Sequence, residues 1–65
     1  MHITLNGETT TTTVSTIQSL LEEQNLPKAG VAIAVNHTIL PQEEWATTLV
    51  QEGDIIDVVH AIVGG

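Results

Sequence analysis

The chain of 65 residues suffices for one small domain, and its 42% apolar content with one aromatic residue, Trp45, indicates an aliphatic core. Eight carboxylates against one basic residue give a formal net charge of -7, which argues against nucleic acid and anionic membranes as partners because both attract clusters of Lys and Arg. The absence of cysteine excludes disulfides, zinc-thiolate sites and thiol nucleophiles.

The first predicted elements are two strands joined by a tight turn. Apolar and polar residues alternate in "MHITL" (1–5), as in a half-buried strand. Asn6 and Gly7 favour the positive φ values of a two-residue hairpin turn. The threonine-rich stretch "ETTTTTV" (8–14) is then predicted to form the second strand, because β-branched residues suit a sheet. A polar low-complexity linker is the alternative interpretation.

An amphipathic helix is predicted next, within residues 15–26. Ile17, Leu20 and Leu21 recur at the i, i+3, i+4 spacing of one helical face. Ser15 and Gln18 are spaced as a capping box that would begin the helix. Its end is predicted from the signals that follow, which are Asn25, Pro27 and Gly30.

The second half of the chain is predicted to be mostly extended. "VAIAV" (31–35) indicates a buried strand, and Asn36 with His37 indicates a turn into a short strand at 38–40. Pro41 is predicted to occupy the first position of a helical turn at 41–45. A short strand is predicted at 46–50 and a turn at 52–54.

The longest β-branched run, "IIDVVHAIV" (55–63), is predicted to form the final strand. This order of elements indicates an α+β fold, with a sheet of four to five strands packed on one helix. We expect a single domain over residues 1–65 with a flexible tail at about 62–65.

Catalytic signatures do not emerge from the pattern. His2, His37 and His60 are irregularly spaced, so surface histidines are favoured over a metal site. The neighbouring pairs 22–23 and 43–44 are glutamates that would not face each other on a helix, which favours solvated faces over acid-base catalysis. Trp45 is predicted to plug the core, and its alternative interpretation is an interface anchor.

The stretches "VAIAVN", "LPQEEWA" and "LVQEGDIIDVVHAIVGG" together resemble the ThiS family of thiamin-biosynthesis sulfur carriers over essentially the whole chain. Gly53-Asp54 and Gly64-Gly65 recur among all sulfur-carrying ubiquitin-like proteins. Asn36, Pro41 and Trp45 at their present spacing point to the thiamin branch more particularly. The resemblance implies a ubiquitin-like β-grasp fold with a mixed sheet.

The function that the resemblance implies is sulfur transport on the C-terminus rather than enzyme catalysis. A ThiF-like adenylating enzyme would use ATP and Mg²⁺ to activate the carboxylate of Gly65, and a sulfur donor protein would supply the sulfur for a terminal thiocarboxylate. A ThiG-like thiazole synthase would accept that sulfur. The segment that would thread through the partners' active sites comprises Gly64, Val63 and Ile62. Because glycine lacks a Cβ, the walls of an active site can approach its backbone closely. We expect no metal or cofactor bound by the chain itself.

Two other functions stay open at this point. The chain could be a MoaD-like small subunit of molybdopterin synthase, which also ends in Gly-Gly after a β-grasp domain. It could instead be a non-carrier β-grasp binding module or a ubiquitin-like modifier. In each case the acidic surface could steer docking onto a basic partner, or could simply keep a small domain in solution. The start of the chain lacks a basic segment followed by an apolar stretch, so we expect a cytoplasmic protein.

Overall fold

The computed structural model describes residues 1–27 and 29–60, and these form a mixed sheet with one α-helix against one face. The expected α+β architecture with a sheet of four to five strands is therefore confirmed, with five strands. The elements in chain order are β1 (His2–Leu5), β2 (Glu8–Thr11), α1 (Ile17–Glu23), β3 (Val31–Val35), β4 (Thr38–Leu40), a 3₁₀ turn (Gln42–Glu44) and β5 (Ile55–His60).

The last strand, β5, lies at the centre of the sheet, whose order is β2-β1-β5-β3-β4. It pairs in parallel with β1 and antiparallel with β3, while β2 and β4 pair antiparallel with β1 and β3. A parallel pair needs a long crossover rather than a tight turn. The crossover here includes α1, which is how the helix comes to lie on the sheet.

Both hairpins turn as the sequence predicts. Asn6 and Gly7 have φ values of 51° and 83°, and Asn36 and His37 have φ values of 52° and 71°. Two consecutive positive φ values match the right-handed twist of the flanking strands. The threonine-rich stretch forms β2 as far as Thr11, so the linker interpretation does not hold for that part.

The start of α1 differs from the predicted capping box. Thr16, not Ser15, is the N-cap residue, and its hydroxyl oxygen accepts a hydrogen bond from the backbone N–H of Ser19 at 3.1 Å. Thr16 has extended φ and ψ values because it forms an isolated antiparallel bridge with Leu49. This long-range contact keeps the chain extended one residue past the predicted cap. The predicted apolar face is confirmed, since Ile17, Leu20 and Leu21 are fully buried.

Two predictions for residues 41–50 are wrong. Pro41 does not occupy the first helical position; it precedes the 3₁₀ turn with an extended ψ of 144°. The strand predicted at 46–50 is reduced to the single bridge of Leu49. The reason is local, because the N–H groups of Thr47 and Thr48 both bond to the carbonyl of Glu44 and so continue the turn.

The core lies between α1 and the inner face of the sheet. Its buried side chains are aliphatic apart from one indole, as the composition predicts, and they are Ile3, Leu5, Ile17, Leu20, Leu21, Ile33, Trp45, Val50, Ile56 and Val58. Full burial of one such side chain stabilises the fold by about 1.5–3 kcal/mol.

Candidate functional site

The residues predicted to react or to thread, Ile62, Val63, Gly64 and Gly65, lie outside the described part of the chain, as does the rest of the predicted final strand after His60. The structure does describe the strand that precedes them in the chain. The prediction of a strand from residue 55 is confirmed to His60, which pairs with Val31 of β3. The candidate site therefore follows directly from the central strand of the sheet.

The central strand is held on both sides. Five residue pairs join it to β3, from Val31–His60 to Val35–Ile56. Thr4 and Leu5 of β1 pair with its first two residues, and beyond them the side-chain oxygen of Asn6 accepts a hydrogen bond from the N–H of Val58 at 2.8 Å. A hydrogen-bonded strand in the middle of a sheet is among the last elements to open locally. The strand that precedes the predicted tail is therefore paired with β3 from Ile56 to His60, and with β1 at its first two residues.

A buried carboxylate ties the β3–β4 turn to the start of β5. Asp54 accepts a hydrogen bond from the side-chain amide of Asn36 at 3.1 Å and another from the N–H of Gln51 at 2.8 Å. The carbonyl oxygen of the Asn36 side chain accepts the N–H of Ile55 at 3.0 Å. The sequence alone does not reveal these contacts, because residues 36 and 54 meet only in the folded chain. We call Asn36 and Asp54 the β5 clamp.

We expect Asn36→Ala to destabilise the protein by about 1–3 kcal/mol, because it leaves the buried Asp54 carboxylate short of a donor. Asn36→Gly removes the same hydrogen bonds but suits a φ of 52°, so it should cost about 1 kcal/mol less. Urea unfolding followed by Trp45 fluorescence measures both variants. Equal stability of Asn36→Ala and the unaltered protein would mean that the clamp does not stabilise the fold.

Trp45 has the position predicted by its core interpretation. Its side chain is 3% exposed, and its indole N–H donates a hydrogen bond to the carbonyl of Leu40 at 3.0 Å. A buried indole with its N–H satisfied contributes to packing without cost to its polar atom. Almost no indole surface is left for a partner, so the structure favours the core over the interface interpretation.

The predicted surface histidines and carboxylates are spread over the molecule. His2 and Glu52 are both exposed, with Nδ1 and Oε2 3.7 Å apart. Within residues 1–27 and 29–60, no three His, Asp or Glu side chains are placed to share a metal ion. Glu23 is exposed, as a solvated face requires, but its carboxylate also accepts a hydrogen bond from the hydroxyl of Thr12 at 2.7 Å. None of the helices in the described residues is long and apolar enough to cross a membrane.

One helix against a mixed sheet, with the first and last strands parallel at its centre, defines a ubiquitin-like β-grasp protein. Residues 3–65 match the profile of the ThiS family, and the chain belongs to that family. The resemblance noted in the sequence is thereby confirmed.

Similar proteins agree with this assignment. The chain is 44% identical to the sulfur carrier protein ThiS of Escherichia coli over 50 residues, which cover 77% of this chain and 76% of that protein. A thiazole synthase of Paramagnetospirillum magneticum matches all of this chain at 33% identity, over 20% of its own length. The crystal structure of ThiS from Geobacter metallireducens superposes with a TM-score of 0.88 at 26% identity, with both chains fully covered.

Proposed function

We propose that the protein is a sulfur carrier of thiamin biosynthesis, with the sulfur held as a thiocarboxylate at Gly65. The observation that carries this function is the family match over residues 3–65, supported by the 44% identity to the sulfur carrier of Escherichia coli. The match favours the thiamin pathway over the MoaD-like and non-carrier alternatives.

The proposed chemistry solves a problem of reactivity. A carboxylate resists nucleophilic attack, so one oxygen of Gly65 first attacks the α-phosphorus of ATP on the partner enzyme and pyrophosphate leaves. A sulfide-level nucleophile then attacks the carbonyl carbon of the acyl adenylate, and AMP departs. The product is a thiocarboxylate, which is anionic at neutral pH and can attack an electrophilic acceptor. ATP and Mg²⁺ bind to the partner, and this chain supplies the reacting carboxylate.

The partners follow from the same chemistry. A ThiF-like adenylating enzyme and a sulfur donor protein are needed for the two steps at Gly65. A ThiG-like thiazole synthase as the sulfur acceptor has independent support, because the thiazole synthase of Paramagnetospirillum magneticum contains a segment similar to this entire chain. The expected cytoplasmic location stays a prediction.

The test is the mass of the C-terminal peptide. After incubation with a ThiF-like enzyme, ATP, Mg²⁺ and a sulfide source, we expect the peptide ending at Gly65 to gain the mass difference between sulfur and oxygen. The same mixture without ATP should leave the mass unchanged, because the free carboxylate does not react. An unchanged mass with an enzyme that converts another ThiS-family carrier would refute the proposal.

A further inference from the structure

The turn between β1 and β2 places an asparagine directly before a glycine. The chain has three asparagines, Asn6, Asn25 and Asn36, and only Asn6 is followed by glycine. Both turn residues are exposed, and a Cβ built on Gly7 would meet no atom within 4 Å. Residue 7 thus has no side chain, and no packed neighbour on that side, to crowd its backbone nitrogen.

An asparagine followed by glycine is chemically unstable in a flexible chain. The backbone nitrogen of the glycine attacks the side-chain amide carbon, ammonia leaves with the N–H proton, and a succinimide ring forms. Water then opens the ring at one of its carbonyl groups. Attack at the former side-chain carbonyl gives aspartate, whereas attack at the main-chain carbonyl gives isoaspartate, in which the chain runs through the β-carbon. A residue larger than glycine slows ring closure, because its Cβ crowds the attacking nitrogen.

The folded chain holds Asn6 in a conformation that opposes this attack. Asn6 has a φ of 51°, in the left-handed region, where ψ is about +47°. That ψ turns the Gly7 nitrogen away from the Asn6 side chain, across the bond between Cα and the carbonyl carbon. Ring closure needs the nitrogen and the side chain on the same side of this bond, so the turn must open first.

The Asn6 side chain is also hydrogen-bonded to the central strand. Its Oδ1 accepts the N–H of Val58 at 2.8 Å, and its own backbone N–H donates to the carbonyl of Ile56 at 2.9 Å. Two residues of β1 pair with β5, and these bonds extend the contact between the two strands as far as Val58. While they hold, the side-chain amide cannot approach the Gly7 nitrogen.

We propose that Asn6 is a deamidation site that the fold protects, and that it reacts when the contact between β1 and β5 opens at the turn. Hydrogen bonds to the central strand of a sheet open rarely, so the folded protein should react slowly. The reaction consumes only water and needs no partner or cofactor. It is therefore independent of the sulfur-carrier function.

The two products should affect the fold differently. Aspartate keeps the backbone of the turn, and its carboxylate can accept the N–H of Val58 as Oδ1 does now. Isoaspartate lengthens the main chain of the turn by one carbon and shortens the side branch by the same carbon, so the acceptor oxygen no longer reaches Val58. The N–H of a buried residue is then left unpaired, which is unfavourable. Isoaspartate at position 6 therefore loosens the central strand permanently.

The turn between β3 and β4 provides a matched control within the same chain. Asn36 has a φ of 52°, and its side-chain oxygen accepts the N–H of Ile55 at 3.0 Å. The residue after it is His37, whose Cβ crowds the nitrogen. His37→Gly suits a φ of 71° and creates a second Asn-Gly pair in an equivalent turn.

The test compares deamidation in folded and in unfolded protein at the same pH and temperature. Samples in buffer and in guanidinium chloride are digested after increasing times, and the peptides containing Asn6 or Asn36 are quantified by mass. We expect Asn6 to react at least about tenfold faster in the unfolded protein, while Asn36 stays intact in both. In unfolded His37→Gly, Asn36 should react about as fast as Asn6. A synthetic peptide of residues 3–10 in both solutions measures the direct effect of the denaturant.

The consequence for the fold is measured on the separated products. An isoaspartyl methyltransferase identifies the isoaspartate form, which is then unfolded with urea and followed by Trp45 fluorescence. We expect its unfolding midpoint to lie below that of the unaltered protein. The midpoint of Asn6→Asp, which represents the other product, should stay close to the unaltered value.

Three results would overturn the proposal. Equal rates for Asn6 in the folded protein and in the peptide would mean that the fold gives no protection. Reaction at Asn36 in the unaltered chain as fast as at Asn6 would mean that Gly7 does not define the site. An isoaspartate form with an unchanged midpoint would mean that the hydrogen bond from Val58 does not secure the central strand.

Discussion

Deletion of Gly65 should abolish thiocarboxylate formation and leave the domain folded. The shortened chain still ends in a glycine carboxylate, Gly64, of the same intrinsic reactivity. Its carboxyl group, however, falls about 3.5 Å short of the position reached by the full chain, and acyl transfer demands closer alignment than that. The described core reaches no further along the chain than Val58, so thermal unfolding should be unchanged. Mass analysis of the terminus and a melting curve measure the two effects.

Gly65→Ala is the matched control for this deletion. It keeps the length of the chain and adds only a Cβ beside the carbonyl under attack, so any loss reports crowding rather than reach. We expect conversion of Gly65→Ala to be slowed and that of the deletion to be absent. Sulfur incorporation at Gly64 in the shortened protein would show that reach does not limit the reaction. A lost melting transition would show that the terminus is structural.

Local patterns in the sequence predict most of the fold. The period-2 alternation in residues 1–5, the i, i+3, i+4 spacing around Leu20 and the Asn-Gly dipeptide each act within a few residues, and each prediction is confirmed. The wrong predictions depend either on a distant contact or on local hydrogen bonds that these patterns do not reveal. Thr16 replaces Ser15 as the cap because Leu49 bridges to it, and the turn after Glu44 continues through hydrogen bonds that composition does not reveal.

The candidate site likewise has features that the sequence reveals and features that appear only in the folded chain. The Gly-Gly ending and the family pattern can be recognised in the sequence, and they point to the terminus. The β5 clamp cannot, because it depends on which turns and strands become neighbours. Nothing local distinguishes Asp54 from the other carboxylates until the fold sets the side-chain amide of Asn36 beside it. Long-range contacts thus determine how the start of β5 is held.

Ile56→Ala should be the most destabilising single truncation in β5, at about 2–5 kcal/mol. Ile56 is fully buried in the central strand, where loss of its side chain leaves a cavity between sheet and helix. A domain of this size has roughly 3–5 kcal/mol of stability from a single core, so a large fraction of the variant should be unfolded at room temperature. Urea unfolding monitored by Trp45 fluorescence gives the free energy directly.

The adjacent isoleucine provides the control, because Ile55→Ala removes the same atoms from the same strand on the opposite face. With its side chain 36% exposed, that change should cost less than about 1 kcal/mol. Ile56→Val should cost about 0.5–1.5 kcal/mol. If the alanine variant does not fold, this milder change still allows the free energy lost on truncation at residue 56 to be measured. Equal losses for Ile55→Ala and Ile56→Ala would contradict the assignment of Ile56 to the inner face of β5 and of Ile55 to its outer face. The expected difference would show that side-chain alternation along β5 decides which residues hold the central strand against the core, because Ile56 and Val58 are buried while their neighbours face outward.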